Sequence, residues 1–271
     1  MSKTILITGS TDGIGKLAAI KLAKEGHSIY LHGRNSEKLA KVISEVKDAS
    51  NNSNIDGFVA DFSDLKAVKN ISKDVLNKLS SIDILINNAG IFKSPIDTTN
   101  DGLDIRFAVN YFAPYILTNA LLSLLEAGHD KKIINLSSAA QATVRIGALN
   151  GEASVNVSEA YAQSKLALTM WSFYLAEQFK DMSIIAVNPG SLLNTRMANE
   201  AYGQHWSPAS KGSDILYDLA ISDEYKDITG AYFDNDKGNP KGTFSKAHPD
   251  AYNETLISEL IANTKAILNT K

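Results

Sequence analysis

Seven short apolar runs punctuate the chain: "TILIT" at 4–8, "SIYLH" at 28–32, "DGFVA" at 56–60, "IDILIN" at 82–87, "KIINLS" at 132–137, "SIIAVN" at 183–188 and "GAYF" at 230–233. They are rich in β-branched and aliphatic residues and short, so they read as strands. Between most of them, apolar residues recur at helical spacing, as in "GKLAAIKLAKEG", "EKLAKVISEVKDA" and "DLKAVKNISKDVLNKL". Strands apolar on both faces that alternate with amphipathic helices predict a parallel sheet covered on both sides. The expected fold is α/β: one doubly wound Rossmann-type domain over residues 1–271, with about seven parallel strands flanked by helices. The polar "SNNSN" at 50–54 reads as a connection within that domain.

Beyond the sixth strand the pattern changes. Residues 189–213 hold Pro189, Gly190, Gly203, Pro208 and Gly212 among scattered apolar residues. A long irregular connection of this kind predicts a mobile flap over a binding site. Leu192, Leu193, Met197, Tyr202 and Trp206 would give it an apolar wall, or would pack against their own domain. The segments 103–126 and 159–179 are apolar enough for a subunit interface, which makes a homo-oligomer compatible with the pattern; periodicity does not separate that from core.

Charge and composition narrow the function. A net charge of −3 over 271 residues gives no basic excess, against nucleic acid or an anionic membrane as main partner. With no cysteine, thiolate chemistry and disulfides are excluded, and five scattered histidines without HExxH spacing offer no metal site. The start "MSKTILITGS" lacks the features of a leader, and no apolar run is long enough to span a bilayer, so a cytoplasmic protein without a membrane anchor is expected.

The first strand runs into "TGSTDGIG", with Gly9, Gly13 and Gly15 at a strand-to-helix turn. Glycines there allow positive φ and close approach of a phosphate, and the following helix supplies unpaired N–H groups. The spacing is not GxGxxG, and such a turn can also be purely structural. A dinucleotide with a free 2′-hydroxyl calls for an acid at the end of the second strand. Here "LHGRN" places Gly33 at that point and Arg34 after it, so NADP(H) is favoured over NAD(H), unless Arg34 is only a solvated loop cation. Asp12, within the glycine turn, is unhelpful to an anion.

Polar residues mark three later strand ends, "INNAG" at 86–90, "NLSS" at 135–138 and "NPG" at 188–190, and Asn110 lies in the helical "FAVNYFAP". In "EAYAQSKLAL", Tyr161 and Lys165 stand four apart and so share one helix face. On spacing alone, a half-buried tyrosine beside a solvated lysine is the commoner account. The alternative is a phenol, ordinarily ionising near pH 10, brought closer to neutrality by a neighbouring cation.

In order, "TGSTDGIG", Asp61 in "ADFSD", "NNAG", Asn110, Ser138, Tyr161 with Lys165, and "NPGSLLNT" resemble the short-chain dehydrogenase/reductase family. "HGRN", "INLSS", "YAQSKLAL" and "TGAYFDN" are most similar to its retinol-dehydrogenase-like branch. The resemblance implies interconversion of an aldehyde or ketone and an alcohol by hydride transfer, on a small and apolar substrate. It implies Tyr161 as acid or base, Ser138 as hydrogen-bond partner of the substrate oxygen, Lys165 as ribose ligand that favours the phenolate, and Asn110 as holder of a relay water. The cofactor contacts it implies are Gly9, Ser10, Thr11, Asp12, Gly13, Ile14 and Gly15; Arg34 and Asn35; Asp61 and Phe62; Asn88, Ala89 and Gly90; Tyr161 and Lys165; and Pro189, Gly190 and Thr195. Ser138 is preferred to Ser137 by the motif. The interval from Ser138 to Tyr161, longer than is common in the family, leaves "ATVRIGALNGEASVNVSE" as a surface loop at the pocket mouth. A non-catalytic dinucleotide-binding redox regulator and an epimerase or dehydratase of the extended branch remain as alternatives.

Overall fold

The apolar runs become strands because their side chains alternate between two cores. A computed structural model of the chain describes residues 1–238 and 241–270; the side chain of Tyr202 lies outside the described part. Strands β1 (Thr4–Ile7), β2 (Ser28–Gly33), β3 (Ile55–Val59), β4 (Ile84–Asn87), β5 (Lys132–Leu136), β6 (Ser183–Asn188), β7 (Ala231–Asp234) and β8 (Thr243–Ser245) form one sheet in the order β3-β2-β1-β4-β5-β6-β7-β8. The first seven are parallel, and β8 pairs antiparallel with β7. The expected parallel sheet of about seven strands is present, with one antiparallel edge strand added. The extra strand, "TFS", is too short to carry an alternation signal.

One sheet face places Ile5, Ile7, Leu31, Ile86, Ile134 and Val187 against α1 (Gly13–Lys24), α2 (Ser36–Ser50) and α10 (Ala209–Ile221). The alternate residues Leu6, Leu85, Ile133, Ile184 and Tyr232 face α3 (Leu65–Lys78), α5 (Ala113–Ala120), α8 (Val157–Gln178) and α11 (Glu254–Thr270). Reversal of strand order on either side of β1 opens a crevice at the carboxyl ends of β1 and β4, where a doubly wound sheet takes its ligand.

Two further expectations are revised. The helical stretch 103–126 is broken into α4 (Ile105–Phe107), a π-helical turn (Ala108–Phe112), α5 and α6 (Leu122–Glu126). Pro114 has no N–H to give the carbonyl four residues back, that of Asn110, and the helix widens by one residue just before it. The expected loop 142–159 contains a helical turn, α7 (Ile146–Leu149), and its last three residues already belong to α8. The apolar surfaces at 103–126 and 159–179 pack in part against the chain's own α11, where Tyr111 and Trp171 are fully buried in one core with Leu260 and Ile261. No helix among the described residues is long and apolar enough to cross a membrane.

Candidate active site

The glycine turn between β1 and α1 is stitched to the end of β4. Gly9 has a φ of +61°, and a Cβ there would lie 2.7 Å from Ala89 Cα. At Gly15 a Cβ would lie 2.4 Å from Asn88 Nδ2, which donates to the carbonyls of Thr8 (2.8 Å) and Gly9 (2.9 Å). Side chains at these positions would therefore push the turn off the strand. Ser10 is turned inward, donating to Ile7 O and accepting from His32 N–H, so its hydroxyl is part of the scaffold.

His32 escaped the sequence reading, yet it braces this turn. Its Nδ1 accepts from Gly9 N–H at 3.1 Å and its Nε2 faces Ala60 O at 3.0 Å, which fixes the Nε2–H tautomer. Phe62 stacks on the ring at 4.0 Å between centroids; it is a buried support whose ring faces histidine and core. Burial pulls the His32 pKa from 6.5 down to about 4. Asp61 is exposed just past β3, where one carboxylate oxygen accepts from Ser63 N–H and Oγ–H.

At the start of α1 the backbone can take an anion. A Cβ at Gly13 would meet nothing nearer than Thr195, 3.7 Å away, and the first turn, with Ile14 beside Gly13, carries no acidic residue. Asp12 instead caps the helix, accepting from Gly13 N–H at 2.9 Å. Arg34 is exposed after β2, and Asn35 caps α2 by accepting from Lys38 N–H at 2.7 Å. A dinucleotide phosphate fits this donor set.

Beside the turn, α8 presents Tyr161 and Lys165. The Lys165 Nζ lies 5.6 Å from the Tyr161 ring centroid and donates to Leu136 O at 2.7 Å. Burial pulls its pKa from 10.5 to about 7. That enclosure disfavours the very charge that would stabilise a phenolate beside it. Phe92 meets the Tyr161 ring edge-on at 5.0 Å. Gly90 leaves the Lys165 side open, since a Cβ there would be 3.3 Å from Lys165 Nζ and 3.4 Å from Asn110 Oδ1.

The two adjacent serines separate clearly. Ser137 is buried, its hydroxyl bonded to Thr169 Oγ1 (2.6 Å) and Lys165 O (3.1 Å). Ser138 opens the segment that runs past Tyr161, which Ala142 N–H ties to Ala162 O. Tyr232 Oη and Gln141 Nε2 both donate to the Ser138 carbonyl, at 2.9 and 2.8 Å, and hold its backbone; neither residue had a local sequence signal. Asn110 is also brought in, but its amide is fully committed: Oδ1 accepts from Ile91 N–H (2.7 Å), and Nδ2 donates to Ile91 O and Ser164 Oγ (both 3.0 Å). Its side chain holds the loop after β4.

The flap is more ordered than its composition predicted. Thr195 caps α9 (Arg196–Tyr202), Gly203 ends it at a φ of +66°, and Leu193 bridges to Ser207. Leu193 is buried against Gly212, whereas Met197 faces Gly90 and Trp206 is 72% exposed. The flap base is pinned: Asp236 accepts from Ser191 N–H, Ser191 Oγ–H (2.6 Å) and Asn188 Nδ2 (2.9 Å). Pro189 O accepts from Asn235 Nδ2, and Gly190 N–H donates to Asn188 Oδ1.

Known proteins agree with this arrangement. Residues 3–205 match the family model described as short chain dehydrogenase. Human retinol dehydrogenase 13 is 30% identical over 292 residues, covering 98% of this chain and 84% of that protein. Human polyprenol dehydrogenase is 28% identical, covering 95% and 82%. A solved chain from Escherichia coli CFT073, complexed with NADPH, superposes with a TM-score of 0.69 at 25% identity, covering 86% of this chain and 95% of that one. With the family model matching well over half of the chain and a relative 30% identical over nearly all of it, the chain belongs to the short-chain dehydrogenase family of NAD(P)-dependent oxidoreductases.

Proposed function

We propose that this protein interconverts an apolar aldehyde or ketone and the corresponding alcohol, with NADP(H) as cofactor. The observation that carries the reading is the meeting of Lys165 and Asn110 at Gly90, with Tyr161 beside Lys165 and the segment after Ser138 tied to the same helix, next to a glycine turn fit for a dinucleotide. Structural relatives solved with NADP and NADPH support the cofactor.

The residues divide the work. Gly9, Gly13, Gly15 and the start of α1 bind the pyrophosphate; Asn88 and Ala89 hold that turn in place. When bound, the nicotinamide supplies or accepts the hydride. Tyr161 gives its proton to the developing alkoxide in reduction and recovers it in oxidation, and Ser138 Oγ steadies the same oxygen. Lys165, in its ammonium form, orients the ribose and favours the phenolate. Because Pro114 withholds an N–H from Asn110 O, that main-chain carbonyl, rather than the Asn110 amide, is suited to a water that passes protons to Lys165. Phe92, Met197 and Trp206 give the substrate an apolar surround, which supports an apolar carbonyl compound.

Tyr161→Phe keeps the ring against Phe92 and removes the proton. With a carbonyl substrate found by screening aldehydes and ketones with NADPH, turnover is expected to fall by about 10² or more with cofactor affinity retained. Turnover above about a third of the parent value would overturn the assignment.

A further inference from the structure

The chemistry that reads the cofactor's 2′-position is incompletely explained by Arg34. Position 33, at the end of β2, is where a carboxylate for a free 2′-hydroxyl would stand. A Cβ at Gly33 would lie only 2.5 Å from Thr11 Cγ2, 3.2 Å from Thr11 Oγ1 and 3.4 Å from Thr11 Cβ. Threonine is stiff at χ1 and cannot easily swing aside. The glycine turn itself therefore occupies the space an acid would need, and recognition of a 2′-hydroxyl from residue 33 is blocked by packing.

The same turn draws a second cation to this spot. Asp12 follows Thr11, and its Oδ2 binds Lys38 Nζ at 2.9 Å while Oδ1 caps α1. Lys38 stands in the first turn of α2, four residues after Arg34, and its own N–H is fixed by the Asn35 cap. The ion pair bridges the β1–α1 turn and the β2–α2 turn, across the crevice mouth beside the Thr11–Gly33 contact. Its side chains are 44% and 60% exposed, so it is a weak pair that another anion can enter. An ammonium has three donors and can keep Asp12 while serving a phosphate. Arg196, at the start of α9, also acts electrostatically on Asp12 from the flap side.

We infer that Lys38 is a second ligand for the cofactor's 2′-phosphate, held over the site by Asp12, so that the dianion is read by Arg34 and Lys38 together. Asp12 thereby has a purpose inside an anion-binding turn: it positions Lys38 in the free protein, at the cost of some repulsion towards the bound phosphate. The inference rests on the NADP(H) reading proposed above.

The test is calorimetric binding of 2′,5′-ADP and of 5′-AMP, which differ only in the 2′-phosphate, at fixed salt. The parent should bind 2′,5′-ADP the more tightly. Lys38→Gln should weaken 2′,5′-ADP by about tenfold and change 5′-AMP less than twofold; Arg34→Gln should act in the same direction. Asp12→Asn, which can still cap α1, should tighten 2′,5′-ADP clearly in the Lys38→Gln background, where only the repulsion is relieved, and less in the presence of Lys38, whose positioning is lost at the same time. If the parent does not discriminate between the two nucleotides, the NADP(H) reading fails and this inference with it. If the parent discriminates and Arg34→Gln abolishes that, while Lys38→Gln does not alter it, the inference alone is overturned. Unchanged thermal unfolding of the variants separates loss of the ligand contact from loss of fold.

Discussion

His32 shows how much a single enclosed side chain decides. Its neutral ring accepts from Gly9 N–H, so protonation would set two donors face to face at the glycine turn. The folded-state pKa, about 4, lies below the ordinary 6.5. Below pH 6.5 the unfolded chain takes up a proton that the folded chain refuses until about pH 4. The stability this group contributes is therefore present above pH 6.5 and is lost as pH falls through that window, by roughly 3 kcal/mol in all. Urea unfolding of the parent and of His32→Asn between pH 7 and 4 should show a shallower decline for the variant by about that amount, the carboxylates cancelling in the difference. Parallel declines would remove His32 from this role.

At the level of elements, legibility followed the source of each signal. Buried parallel strands announce themselves because both faces are apolar, and Tyr161 with Lys165 was visible because helical spacing alone sets a shared face. Roles made through space left no such trace: His32 reaches the turn across β1–β2 pairing, and Asp236 reaches Ser191 across 45 residues of sequence. The helix within the flap left no trace for a related reason. The seven-residue α9 lacks an apolar stripe and is defined by its ends, Thr195 and Gly203, which composition presented as loop residues. The flap's hold on the domain is correspondingly local. Asp236→Asn keeps the side chain's shape but removes the charge and one acceptor from the cluster of Ser191, Asn188 and Lys211. Hydrogen exchange over 191–203 should then accelerate by about fivefold or more, with α2 unchanged; equal protection in parent and variant would show that the flap is held by other contacts.

For the whole molecule, the decisive packing is between the middle of the chain and its end. The segments whose apolar faces suggested a subunit interface pack in part against α11, and are joined to it by a buried hydrogen bond, Tyr111 Oη to Thr264 Oγ1 at 2.7 Å. Burial pushes the Tyr111 phenol well above its ordinary pKa, so this is a neutral pair at any working pH. Tyr111 also belongs to the π-helical turn that carries Asn110, and α11 therefore backs the same segment that holds the loop after β4. Removing one hydroxyl leaves the other without its partner in a dry setting, whereas removing both leaves an apolar contact of similar shape. Tyr111→Phe is thus expected to cost about 1–3 kcal/mol in urea unfolding. The double variant Tyr111→Phe with Thr264→Val should recover much of that loss, because the two sites are coupled rather than additive. Strict additivity, or no cost for Tyr111→Phe, would show that the hydroxyl pair does not fasten α11 and that its apolar residues, Leu260, Ile261 and Ile267, hold the helix unaided.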